Sequence, residues 1–320
     1  MGIGLLFAVL VGLSWVVTGA AVGQSERLGF GAWRHQCVYT AMYGAAALLI
    51  LLVGRVIEPN APAFSLRFDA LPALLVALWG VLSYGQNLCV GLGMRRGSNG
   101  SVWTIAQSGF VFPVALGFAT GNTPVCPTRV LGVLFVLFGV WCCGRGKNEA
   151  VSATRSGLAA KNGKRWLVPA LGGFFLCGLN QCMQTLASFF PAETRPSPLL
   201  RVLFGATGVL CAVFFHRVVM QLKTGKRNDR SPTDGKPCGV FLAICLVNAC
   251  VFLAAGFFFH YNALDRLTAA GRISIAGPAM LSACLTGFLL YGITVLHEKP
   301  KSMQLAGTAF AILGAMMSAL

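Results

Sequence analysis

Residues 2–23, GIGLLFAVLVGLSWVVTGAAVG, run through 22 consecutive positions without a charged side chain. At 1.5 Å per residue, a helix of that length is about 33 Å long. That is enough to cross the roughly 30 Å hydrocarbon core of a bilayer. The run follows Met1 directly, with no Lys or Arg ahead of it. A secretory signal opens on a basic segment, so this run is read as the first membrane span, although Gly19-Ala20-Ala21 would suit a cleavage site.

Nine further stretches repeat the pattern, at about 34–57, 70–93, 99–120, 126–144, 166–188, 198–220, 238–260, 270–296 and 302–320. Together they predict an all-α integral membrane protein with ten transmembrane helices. Apolar residues make up 56% of the chain, charged residues 11%, and the mean hydropathy is +0.73. A soluble domain carries roughly 25% charged residues to hydrate its surface. Less than half of that is present here, so the surface is expected to face lipid. Pro113 and Pro278 fall inside spans four and nine, where a kink would free backbone groups that only protein or a wet cavity satisfies.

Most of the 12 cysteines sit inside apolar runs, where a thiol behaves as a small hydrophobe. No pair has C-x-x-C spacing and no Cys/His cluster has zinc-ligand spacing, so neither a disulfide framework nor a metal site is expected.

Charge sets the expected orientation. Eighteen of the 25 Lys and Arg fall in the connections after spans one, three, five, seven and nine. The positive-inside rule puts those connections in the cytoplasm and both termini outside, in a cell (inner or plasma) membrane. The net charge of +16 is mostly this bias. It is spread over short loops with no nucleic-acid-binding motif beside it, so no nucleic-acid partner is expected.

The basic connection at 145–165 divides the chain into residues 1–144 and 166–320, five spans each. Span five carries Gly132 and Gly139, and span ten carries Gly307 and Gly314, each pair seven residues apart. Glycine at that interval lies on one helical face and admits a close neighbour. Gly12-Leu13-Ser14-Trp15 in span one corresponds to Gly178-Leu179-Asn180-Gln181 in span six. These matches predict two inverted five-helix repeats with a binding site between them near the midplane.

Glu298-Lys299-Pro300, Gln304, Gly307 and Gly314 resemble the end of the ninth and the start of the tenth helix in the drug/metabolite transporter superfamily, the EamA-like ten-helix carriers. Within it, Trp79-Gly80, Gly91-Leu92, Met94-Arg95, Leu131-Gly132-Val133, Gly139-Val140, Phe257-Phe258-Phe259 and Arg266 are similar to the rhamnose–proton symporter branch. The resemblance implies a secondary carrier working by alternating access, with a sugar as cargo and a proton or other cation as candidate co-substrate. Asn122 departs from the superfamily pattern, standing near where an acidic residue would end span four.

Polar side chains inside apolar spans must find a partner or water in a medium that offers none. Those that stand out are Ser14, Trp15, Gln86, Asn87, Trp103, Gln107, Asn180, Gln181, Gln184 and Asn248. Amides bond hydroxyls and rings cover the apolar face of a sugar, so this set predicts a site for a small polar metabolite. For any single Asn or Gln the competing explanation is a helix–helix hydrogen bond. Candidates for proton coupling are His260, by its intrinsic pKa, then Asp265 and Glu298 at the membrane edges. Arg272 is a candidate to pair an anionic cargo group, or Glu298. Glu298 could equally hold the turn into span ten.

No G-x-S-x-G, Walker, H-E-x-x-H or dinucleotide motif occurs, so neither an enzyme nor a cofactor is expected. The alternative to a metabolite carrier is an exporter of amino acids or amphiphilic compounds on the same fold. A membrane-embedded enzyme would need a catalytic polar cluster at one interface, and none is visible.

Overall fold

The computed structural model describes residues 2–121, 124–145, 165–191, 193–224, 238–260, 262–263, 266–267 and 275–319. Asn122, Asp265, Arg272, most of the 145–165 linker and the second basic stretch at 225–237 lie outside the described residues.

The described chain is all-helical, with no strand among its elements. The helices are α1 (Gly2–Arg27), α2 (Ala32–Ile57), α3 (Ala70–Met94), α4 (Asn99–Gln107), α5 (Val111–Ala119), α6 (Pro127–Arg145), α7 (Leu167–Ser188), α8 (Pro198–Thr224), α9 (Cys238–Ala254), α10 (Ala276–Thr294) and α11 (Ser302–Ala319). Counting α4 and α5 as one, eight among the described residues are long and apolar enough to cross a membrane. Two of the ten expected spans are not among them, for different reasons. Helix α7 has the length, but Asn180, Gln181 and Gln184 lower its apolarity. Helix α9 is 17 residues long and continues as a π-helical segment over Ala255–His260.

Many large apolar side chains point outward. Leu49, Leu52 and Val53 on α2, Leu131 and Leu134 on α6, and Phe214 and Phe215 on α8 are all exposed. Patches of this extent would be untenable in water. The surface is that of a multi-pass membrane protein.

Helix α3 packs on α7 and α8, α9 on α1 and α2, α4 on α7, α1 on α10, α2 on α8, and α6 on α11. The α6–α11 seam is built from glycine. A Cβ on Gly139 would lie 2.5 Å from the carbonyl oxygen of Gly307, and one on Gly314 would lie 2.5 Å from that of Gly132. The four glycines at seven-residue spacing therefore meet each other.

Pro113 has a visible effect on its helix. The helix begun by α4 tightens into a 3-10 turn over Ser108–Phe110 before resuming as α5. Pro113 lacks the N–H that would bond the carbonyl four residues back, at Gly109. Helix α7 fills the break: a Cβ on Gly109 would sit 2.3 Å from Phe174 O. Pro278 stands in the first turn of α10, where a missing N–H leaves no intrahelical bond unmade. Residues 268–274, just before it, lie outside the described residues.

Candidate functional site

An apolar run can hold an amide only if something else in the bundle bonds it, and in α3 and α7 the amides bond each other. Asn180 Nδ2 donates to Ser83 Oγ at 3.0 Å and to Gln86 Oε1 at 2.8 Å. Both Asn180 hydrogens are then committed. Its Oδ1 is buried with no hydrogen-bond partner among the described residues. Asn87 Nδ2 donates to the Ser83 carbonyl at 3.0 Å. Gln107 Oε1 accepts from the Cys177 thiol at 3.7 Å. What remains for a cargo is acceptor oxygen from Asn87, and amide N–H from Gln86 and Gln107.

These side chains line one cavity of about 140 Å³. An engineered apolar cavity of about 150 Å³ holds a benzene molecule, so the space suits a small solute. Ser14, Trp15, Gln86, Asn87, Trp103, Gln107, Asn180, Gln181, Gln184 and His260 all contribute to its wall. Every one of them was singled out on sequence grounds.

The aromatic part of the wall is rigid. Trp103 stacks on Phe288 of α10 with ring centroids 5.0 Å apart, and its indole N–H points to Cys284 Sγ at 3.2 Å. Tyr39 and Tyr43 of α2 pack with Phe252 of α9, and Trp79 lies parallel to the same Phe252 ring. A ring of this kind offers an apolar face without the entropy loss of a flexible chain.

Four expected site residues lie away from the cavity or outside the described residues. Asn248 is wholly buried behind α1 and does not line the cavity. It accepts from Thr18 Oγ at 3.0 Å through Oδ1, and its Nδ2 lies 3.0 Å from His35 Nε2. Asp265 and Arg272 fall outside the described residues. Glu298 is remote from the cavity. Its carboxylate accepts from the Asn99 and Gly100 N–H groups at 3.0 and 3.3 Å. There it satisfies the free donors at the start of α4, and its charge suits that end of the helix.

Several lining residues were not anticipated: Thr18, Tyr39, Tyr43, Trp79, Ser83 and Arg201. Arg201 stands close to the start of the seventh apolar stretch, where a basic residue is unremarkable. It lies in the first turn of α8, and its Nε donates to Pro196 O at 2.9 Å.

The lining reaches from the middles of the helices to the bundle end marked by Ala187, Arg201 and His260. At the opposite end the helices are cross-linked by polar contacts. There Glu26 is buried, accepts from the Ala32 N–H at 2.6 Å and pairs with Arg95 at the end of α3. Gln24 Nε2 donates to the Tyr291 hydroxyl at 3.0 Å. The Glu298 contact to α4 lies at the same end. None of these residues lines the cavity.

Among the described residues, no three His, Cys, Asp or Glu side chains come together as a metal would need. No protein-family model matches the chain, and no curated protein matches it.

Proposed function

We propose that the chain is a secondary carrier that moves a small polar metabolite of the sugar class across a cell membrane by alternating access, with a proton or other cation as co-substrate. The observation that carries this reading is the cavity at the meeting of α1–α4 with α7–α9, where amides of both hydrogen-bonding senses stand beside aromatic faces. A hydroxyl donates and accepts at once, so a polyol uses both senses.

We further propose ten spans in two inverted five-helix repeats, with both termini outside. The helix pairing supports it. Exchanging each helix with its counterpart five spans on turns α3–α7 into α9–α1, α3–α8 into α9–α2, and α4–α7 into α10–α1, and all six pairs are packed together. The pairs α2–α8 and α6–α11 map onto themselves. Gly12 and Gly178, which correspond, are both close-approach points: a Cβ would lie 2.2 Å from Met280 O at the first and 3.0 Å from Gly109 O at the second. The resemblance to the drug/metabolite transporters, and to their sugar branch, points the same way.

The competing reading is an exporter of amino acids or amphiphilic compounds, favoured by the Tyr39–Tyr43–Phe252 wall. A thermal-shift screen of the purified protein separates the two. A ligand at 100 times its Kd stabilises the native state by about 2.7 kcal/mol. Sugars or polyols should raise Tm in the screen. A rise confined to amino acids or amphiphiles would replace the sugar reading with the exporter.

A further inference from the structure

His35 is a titratable group that the cavity wall leaves unused. It is wholly buried near the start of α2. Its Nδ1 lies 3.0 Å from Ser25 Oγ of α1, and its Nε2 lies 3.0 Å from Asn248 Nδ2 of α9. Asn248 is bonded in turn to Thr18, which lines the cavity. Tyr39 stacks on the imidazole with centroids 5.1 Å apart and lines the same cavity. Two short routes therefore join the ring to the cargo space.

The partners of the ring can exchange roles. With Asn248 donating into Nε2, the neutral ring carries its hydrogen on Nδ1 and donates it to Ser25. A proton added at Nε2 makes both ring nitrogens donors. Half a turn of the Asn248 amide then brings Oδ1 to Nε2–H, and Nδ2 donates to Thr18 Oγ. Both ring nitrogens, the Asn248 amide oxygen and Thr18 Oγ keep a partner in both forms. The only bond formed or broken is the Nε2–H bond, and the proton comes from and returns to water.

The charged and titratable surroundings are sparse. Helix α9 brings Cys245, whose sulfur is 3.5 Å from Nδ1. Helix α1 brings Glu26, turned away to the Ala32 N–H and to Arg95 of α3. Helix α2 itself brings Tyr39. His216 and Arg217 of α8 lie instead against Tyr84 of α3 and against Trp33. The ring also bridges α1 and α2 of the first half to α9 of the second. Relative motion of the halves must therefore strain or break its bonds.

We propose that His35 binds and releases the proton coupled to cargo movement, with Asn248 and Thr18 reporting its state to the cavity. The inference rests on the carrier reading. Its test uses the full chain, wild type and H35Q, in proteoliposomes with labelled L-rhamnose as the probe, together with ¹⁵N-histidine spectra in nanodiscs. Glutamine can donate and accept where the ring does. H35Q is expected to keep counterflow at equal pH and to lose at least tenfold of the accumulation driven by a pH gradient. The wild-type spectra should contain one signal, absent from H35Q, that passes from neutral imidazole to imidazolium as the pH is lowered. If H35Q does not fold, H216Q, H260Q and H297Q assign that signal by elimination. Unchanged gradient-driven accumulation in H35Q would overturn the inference, as would a His35 signal that stays neutral down to the lowest pH at which the protein remains folded. Absence of L-rhamnose counterflow in the wild type counts against the sugar reading alone, and the spectra then decide the His35 inference.

Discussion

Asn180 commits both amide hydrogens to α3, so its replacement by alanine strands Gln86 Oε1 and Ser83 Oγ at the seam. Leaving a buried acceptor unpaired costs about 1–3 kcal/mol. N180A is therefore expected to lower Tm and, by releasing the Gln86 amide that lines the cavity, to weaken cargo binding by tenfold or more, read as a shifted midpoint in ligand titration. N180A with unchanged affinity would remove Asn180 from the site. By contrast E298Q should leave affinity unchanged and lower Tm, because Glu298 serves the start of α4 and not the cavity. The amides were legible in the sequence because an apolar run makes each Asn or Gln conspicuous. Thr18, Tyr39 and Tyr43 were not, since hydroxyl side chains blend into apolar helices. His35 escaped notice because it stands next to Arg34 at a helix start, where a polar residue needs no explanation. Asn248 looked like a cavity residue for the same reason as Asn180. Only the fold reveals that its partner is a buried ring.

At the scale of elements, the α6–α11 seam leaves no room for side chains. G139A and G307A would press a methyl group against the facing carbonyl or the Cys143 sulfur, within 2.5–2.7 Å. Overpacking of this kind costs about 1–3 kcal/mol, which thermal unfolding in detergent detects as a lowered Tm. G239A serves as the control, because nothing lies within 4 Å of a Cβ there. Equal Tm for all three variants would mean the seam is looser than described. The glycine spacing was legible in the sequence, but the identity of the facing helix was not, since a periodic stripe does not name its partner. Span lengths were legible wherever the run was uninterrupted. The reading of α7 was weaker, because the same amides that mark the cavity dilute the apolar signal. The break at Ser108–Phe110 follows from Pro113, whereas the position of Pro278 in a first turn depends on where α10 begins, which hydropathy alone does not locate.

For the whole molecule, loop charge and helix pairing support the proposed arrangement of two halves around the cavity, with the basic connections in the cytoplasm. Alkaline phosphatase fused after Leu320 should then be active outside the cytoplasm, and GFP at the same point should be dark. The opposite pair of signals would invert the orientation. Transport itself is tested most directly by counterflow in proteoliposomes of the purified chain, run against a panel of sugars, amino acids and nucleosides. The account predicts that a sugar or polyol exchanges across the membrane and that N180A slows the exchange at limiting concentration. Folded protein that exchanges no member of the panel would contradict it.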